Sequence, residues 1–259
     1  MIIFSTCWYI LESKYSTEIY QNWIDNLLQS VINFKLVVYT DRKSYYMLQK
    51  YNNNPNIKFI NLELEEFYNY KYKDFWIKNH KNNTELNTKI SWKVNMLWNE
   101  KIAFVEKTYK FYNKKDNWYG WIDIGYFRTG KLLNWPNYNK IENLIKSKIY
   151  YAMINNNSYE INNLITLILD KDENGLSKDP IPPNQQSIAG GFFLIYNNNI
   201  EWYKNLHDKK LNIYIDNNRL VKDDQMIVID NIVSNFKQFF LIKEVNKYDH
   251  WFMFKRYLY

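Results

Sequence analysis

Trp121-Ile122-Asp123-Ile124-Gly125-Tyr126-Phe127-Arg128 sets one carboxylate near the carboxyl end of a short apolar run, with a glycine two residues later. The run from Trp118 to Ile124 reads as a buried strand stopped by Gly125. In open α/β sheets, ligands collect outside the carboxyl ends of such strands. A carboxylate there needs a partner, and a Mg²⁺ or Mn²⁺ bridging a diphosphate is a natural one. Gly125 is expected to let the backbone turn and a ligand approach, and Arg128 to offer charge to phosphate or sugar. Without a ligand, the same spacing suits an Asp123–Arg128 ion pair at a strand end.

Outward from this strand, the chain alternates. Ile2 to Cys7 reads as a first strand, Thr17 to Ile32 as a helix, Lys35 to Tyr39 and Ile57 to Leu62 as further strands, and Ser44 to Lys50 as a short helix. Ile90 to Tyr112 reads as one long helix leading into the motif strand, whereas Phe67 to Asn87 shows no clean period. Beyond Lys131 come a short helix at Ile141 to Lys146, strands at Ile149 to Ile154 and Gly191 to Tyr196, helices at Ile200 to Lys209 and Asp223 to Ser234, and a late strand within Gln238 to Val245. Glu160 to Leu169 fits either element. This alternation argues for an α/β fold with a mostly parallel sheet and right-handed crossovers. No linker or repeat divides the 259 residues, so one domain is expected.

Composition narrows the function classes. Aromatic residues form 19% of the chain, which suits Tyr and Phe filling the core in an Asn-, Lys- and Ile-rich sequence. The single cysteine, Cys7, excludes internal disulfides and suits a reducing compartment. No run approaches the ~20 apolar residues of a membrane span, and Met1-Ile2-Ile3-Phe4 lacks the flanks of a signal peptide, so a cytoplasmic setting (host cytoplasm for a virus) is expected. The sequons at Asn82-Asn83-Thr84 and Asn156-Asn157-Ser158 are expected by chance in so Asn-rich a chain. The net charge of +7 favours anionic partners. The lysines are dispersed, and no nucleic-acid-binding motif occurs, so a basic, aromatic-rich nucleic-acid binder is the alternative rather than the leading reading. A carbohydrate-binding module, usually all-β, fits the alternation less well.

The motif segment resembles the Trp-Ile-Asp-x-Gly-x-x-Arg stretch of the WlaTC/HtrL group of bacterial and viral glycosyltransferases, and looks like a variant of the Asp-x-Asp motif of GT-A enzymes. Trp92 to Lys101 is similar to that group's helix before the motif strand. Ala189-Gly190-Gly191-Phe192-Phe193 resembles the acceptor-side Gly-Gly strand, and Asp223-Asp224-Gln225 the element opening a later helix. The resemblance implies a single GT-A-like domain with a Rossmann-type, mostly parallel sheet flanked by helices. Its residues 1–125 would form the nucleotide-sugar half and 126–259 the acceptor half. It implies hexosyl transfer from a nucleotide-diphosphate sugar, a UDP-sugar favoured, to a glycan or other hydroxyl acceptor.

By the same resemblance, the loop from Thr6 to Tyr9, including Trp8, together with Tyr39, Thr40 and Asp41 would hold base and ribose. Lys93 would reach the phosphates, and Gln186, Gly190 and Gly191 would line the sugar pocket. Gly125 stands where GT-A enzymes usually carry a second acid, so a Mn²⁺ or Mg²⁺ would rest on Asp123 with His250 as a candidate second ligand. Asp223 and Asp224 precede a helix, where one is expected to cap it and the other, Asp224 by preference, to act as general base.

Overall fold

Period-two alternation sorts the strands' side chains onto two faces. In the first strand, Ile3 and Cys7 join one apolar cluster while Ile2, Phe4 and Trp8 join another. Val37 and Tyr39 oppose Leu36 and Val38 in the same way, as do Tyr119 and Trp121 against Trp118 and Ile122. Strands apolar on both faces must be covered on both, which is the demand of a parallel sheet between helical layers.

A computed structural model describes residues 1–246 and 248–259, and shows this arrangement. The strands are β1 (Ile2–Trp8), β2 (Lys35–Thr40), β3 (Ile57–Asn61), β4 (Trp118–Ile122), β5 (Ile149–Met153), β6 (Ile188–Tyr196) and β7 (Phe239–Ile242). They form one sheet in the order β3-β2-β1-β4-β6-β5-β7. β1 runs parallel to β2 and β4, β2 to β3, and β5 to β7, while β6 is antiparallel to β4 and β5. The helices are α1 (Thr17–Gln29), α2 (Lys73–Asn82), α3 (Trp92–Asn99), α4 (Lys101–Tyr112), α5 (Tyr138–Glu142), α6 (Ser158–Leu169), α7 (Ile200–Asp216), α8 (Asp224–Ser234) and α9 (Met253–Tyr257). α4, α7 and α8 cover one face through Phe104, Tyr203 and Ile227, and α1 and α9 the other through Leu27 and Phe254. The protein is thus a single α/β domain with a mostly parallel sheet, as its alternation implies. Among the described residues no helix is long and apolar enough to cross a membrane.

Two features of this fold place the site. The chain builds outward from β1 to β3, then returns to lay β4 on β1's other side, so the strand order reverses between β1 and β4. β6, running the other way, brings its amino-terminal end beside the carboxyl end of β4: Ile122 pairs with Phe192, and the Asp123 N–H donates to Gly191 O at 2.8 Å.

The expected helix from Ile90 to Tyr112 is interrupted. α3 ends at Asn99 and α4 starts at Lys101, with the intervening Glu100 fully buried. Its carboxylate accepts the backbone N–H groups of Tyr68 (2.7 Å) and Asn69 (3.0 Å). Burial raises the Glu100 carboxyl from 4.5 to about 7 against those two hydrogen bonds. Glu160 to Leu169, ambiguous by pattern, lies within α6, and Asn157 caps that helix by accepting from Tyr159 and Glu160 N–H. The aperiodic stretch after Phe67 holds one short 3₁₀ helix (Tyr68–Tyr72) and α2, whose Trp76 and Asn79 are buried.

Candidate active site

The carboxyl ends of β1 and β4, the switch point of the sheet, open into a cavity of about 380 Å³. Trp121 and Asp123 are two residues apart and so point to one side, and the Trp121 Nε1–H donates to Asp123 Oδ1 at 2.6 Å. Asp123 Oδ2 takes no hydrogen bond from the described residues, and the side chain is 42% exposed.

Lys101 occupies the middle of the site. Its Nζ donates to Asp224 Oδ2 and to Gly190 O, both at 2.8 Å, and lies 3.6 Å from Asp123 Oδ1. Burial alone pulls the Lys101 pKa down, but Asp123 and Asp224 outweigh it and hold the ammonium above its usual range. Burial raises the Asp224 carboxyl to about 6, with Lys101 opposing and Asp223 adding to the rise. Both partners are almost fully enclosed, the regime in which removing one member leaves a costly unpaired charge.

Gly190 and Gly191 make room for the two acids. A Cβ on Gly190 would lie 3.0 Å from Asp224 Oδ2, and one on Gly191 3.1 Å from Asp123 Oδ2. Gly125 serves packing rather than an unusual turn, since a Cβ there would meet Trp23 Cε3 at 2.9 Å.

Asp223 precedes α8, yet its side chain makes no capping hydrogen bond. Its Oδ2 pairs with Lys222 at 3.1 Å and its buried Oδ1 has no partner. Neither acid caps the helix through its side chain as expected: Asp224 is held by Lys101, and Asp223 keeps an oxygen free. Arg128 is exposed at the rim, its guanidinium 4.3 Å from the Trp23 ring, 4.9 Å from Phe252 and 5.2 Å from Tyr15. That stacking replaces an Asp123–Arg128 ion pair. Lys14 adds a third cation; burial lowers its pKa while Asp223 supports its charge.

Of the residues expected here, Trp8, Asp123, Gly125, Arg128, Gly190, Gly191, Asp223 and Asp224 line the cavity. Thr6, Tyr39, Thr40, Asp41 and Lys93 do not. Thr6 and Thr40 are buried, and the Tyr39 hydroxyl meets Thr108 Oγ1 at 3.0 Å beneath α4. Asp41 accepts from Ser44 N–H at 2.7 Å, stabilising its own turn. Lys93 Nζ lies over the Trp92 ring. Gln186 and His250 line a second cavity. His250 Nδ1 is 3.2 Å from Ile154 O and Nε2 is 3.1 Å from Asn246 O, so neither nitrogen is open to a cation beside Asp123.

Lys101 is the residue that pattern reading passed over. The signal was present: it falls four residues after Leu97 and three before Phe104, on the apolar face of the helix.

A metal ion fits this site in one mode. Among the described residues, four carboxylates (Asp123, Asp223, Asp224, Asp249) face three cations (Lys14, Lys101, Arg128) around the cavity, which leaves no positive surplus among them for a diphosphate. Asp123 Oδ2 is the free and accessible oxygen. Among the described residues no group of three or more side-chain ligands is assembled. This donor set suits an ion held by one carboxylate and chiefly by substrate phosphates, as Mg²⁺ commonly is.

No protein-family model matches the sequence, and no curated protein matches it. Among solved structures, mouse xyloside xylosyltransferase 1 in its apo form aligns with a TM-score of 0.47 and 11% identity over 92% of this chain and 84% of that one. The galactosyltransferase LgtC, in complex with donor and acceptor sugar analogs, aligns with a TM-score of 0.47 and 10% identity over 89% and 70%. Likeness at this level concerns the course of the chain and not the chemistry of the site. The WlaTC/HtrL resemblance therefore rests on the motifs alone.

Proposed function

We propose that this protein is a glycosyltransferase of the GT-A type that takes its sugar from a nucleotide-diphosphate donor. The observation that carries the reading is the cluster of Asp123, Lys101 and Asp224 beneath Gly190-Gly191, at the point where the strand order reverses. Trp8 and Tyr20, with ring centroids 5.0 Å apart at the end of β1, offer an aromatic wall for the base. Lys14 and Arg128 meet the diphosphate. Asp123 would hold the Mn²⁺ or Mg²⁺ through Oδ2, and the ion would neutralise the departing phosphate. Lys101 and Asp224 fix the floor on which the donor sugar lies. Asp223 and Asp224 both line the cavity and are the carboxylates that would accept the acceptor hydroxyl's proton, each with one oxygen held by a lysine, Lys222 and Lys101 respectively.

The deciding experiment is a thermal-shift panel of UDP, GDP, CMP and their sugar conjugates, with Mn²⁺ or with chelator, on wild type and Asp123→Asn. Ligand at ~100 times its Kd adds roughly 2.7 kcal/mol. A shift with one nucleotide family that Asp123→Asn abolishes is the expected result, with a UDP-sugar the first candidate; loss on chelation assigns the metal. No shift with any nucleotide would overturn the transferase reading.

A further inference from the structure

A second cavity, of about 910 Å³, adjoins the first, and three consecutive residues stand between them. Phe252 lines the first cavity, His250 the second, and Trp251 both. The second volume lies at the upper end of the range for small-molecule sites. Its polar lining is made of amides: Asn155, Asn156, Asn163, Asn184, Gln185 and Gln186.

Among the described residues, no Lys or Arg lines this cavity. Its one carboxylate, Glu160, is occupied by the Asn155 and Asn157 side-chain amides at 2.8 and 2.9 Å. The ring nitrogens of His250 face the carbonyls of Ile154 and Asn246. Gln185 Oε1 is buried with no hydrogen-bond partner. Leu164 and Leu167 of α6, with Trp251, supply apolar surface between the amides.

We infer that this cavity binds an uncharged oligosaccharide, and that it is the acceptor subsite of the transferase proposed above, on which reading its role as an acceptor site depends. An amide both donates and accepts, as a sugar hydroxyl does, and the apolar surface suits the C–H faces of sugar rings. An anionic ligand would lose its hydration here without meeting a cation among the described lining residues. A sugar chain seated against α6 brings one end past Trp251 to the donor cavity.

The test is saturation-transfer NMR with maltotriose, cellotriose, chitotriose and 3′-sialyllactose, each with and without UDP, on wild type, Leu164→Trp and Asn163→Ala. Leu164→Trp fills the cavity; Asn163→Ala removes one exposed amide and serves if the larger change disturbs folding. Circular dichroism melting reports whether each variant is folded. At least one neutral trisaccharide is expected to bind wild type and to bind a folded variant at least tenfold more weakly. Binding of sialyllactose alone, undiminished binding in folded variants, or no binding by any sugar would overturn the inference. Neutral-sugar binding lost in the variants, with no nucleotide sugar shifting the melting of wild type, would keep the glycan site and remove the transferase reading.

Discussion

Lys101 Nζ donates to Asp224 Oδ2 at 2.8 Å, with the two side chains 8% and 6% exposed. Pairs of this kind matter less for the stability they add than for the cost of losing one partner. Lys101→Met leaves Asp224 enclosed without its cation, and is expected to destabilise the fold by about 3–5 kcal/mol and to abolish transfer. The double variant Lys101→Met/Asp224→Leu should recover much of the stability and none of the activity. Urea unfolding of the three proteins checks this; a double variant no more stable than the single one would show that the pair is not the source of the loss.

Alanine at the two glycines separates a rigid acid from a movable one. Neither glycine needs positive φ, so contact alone decides the outcome. At Gly190 the new Cβ would meet Asp224, pinned by Lys101, together with Gln225 Cγ at 3.0 Å. Gly190→Ala is expected to cost roughly 1–3 kcal/mol, as overpacking does. Gly191→Ala presses only on Asp123, which is partly exposed and can rotate, so its stability should change by less than about 1 kcal/mol on the same scale. Its activity should fall because Asp123 Oδ2 is displaced. Equal destabilisation of the two variants would contradict this ordering.

How far the sequence foretold the structure depends on what each residue answers to. Strands β1, β2 and β4 were legible because they are apolar on both faces, and Asp123 at the end of β4 marked where the site opens. Tyr39 and Thr40 were misplaced because nearness to a strand's carboxyl end does not say which face a side chain takes; Tyr39 turns to α4. The break at Glu100 was hidden because its cause lies about thirty residues away, in the N–H groups of Tyr68 and Asn69. Both side chains find their partners only in the tertiary structure, Glu100 in those two N–H groups and Lys101 in Asp224. His250 turns to the second cavity although its neighbours Asp249, Trp251 and Phe252 line the first, a difference of side-chain direction that the order of residues does not carry.

Arg128 is held at the rim by the rings of Trp23, Phe252 and Tyr15, an arrangement that favours a planar guanidinium over an ammonium. A charge-assisted hydrogen bond to donor phosphate is worth about 1.5–3 kcal/mol. Arg128→Ala is therefore expected to raise the donor KM by roughly 10- to 100-fold with little change in melting temperature. Arg128→Lys should keep only part of the affinity, since a lysine restores charge without the stacked plane. Donor KM measured at fixed acceptor checks both; an unchanged KM would place the diphosphate elsewhere in the cavity.

His207 on α7 gives a pH signature unconnected with the site. It is 3% exposed and its Nδ1 is buried without a partner. Burial, with the nearby Lys204 charge, lowers its pKa from 6.5 to about 3. The imidazole is thus neutral in the folded protein across about pH 4–8, while in the unfolded chain it gains a proton below about pH 6.5. Because the folded value is depressed, the stability tied to this group is present above about pH 6.5 and is lost as pH falls toward about 3. Between pH 7 and pH 5 the loss is about 2 kcal/mol. Glu100 and Asp224, both raised, act in the opposite sense: their contribution is lost as pH rises through about 7 and about 6. The whole-protein profile mixes these effects, so the informative quantity is the difference between wild type and His207→Leu, in which the two acids cancel. Urea unfolding at pH 7 and pH 5 should show the variant gaining about 2 kcal/mol on wild type at the lower pH. Parallel profiles would mean that His207 accepts its proton without leaving the folded state.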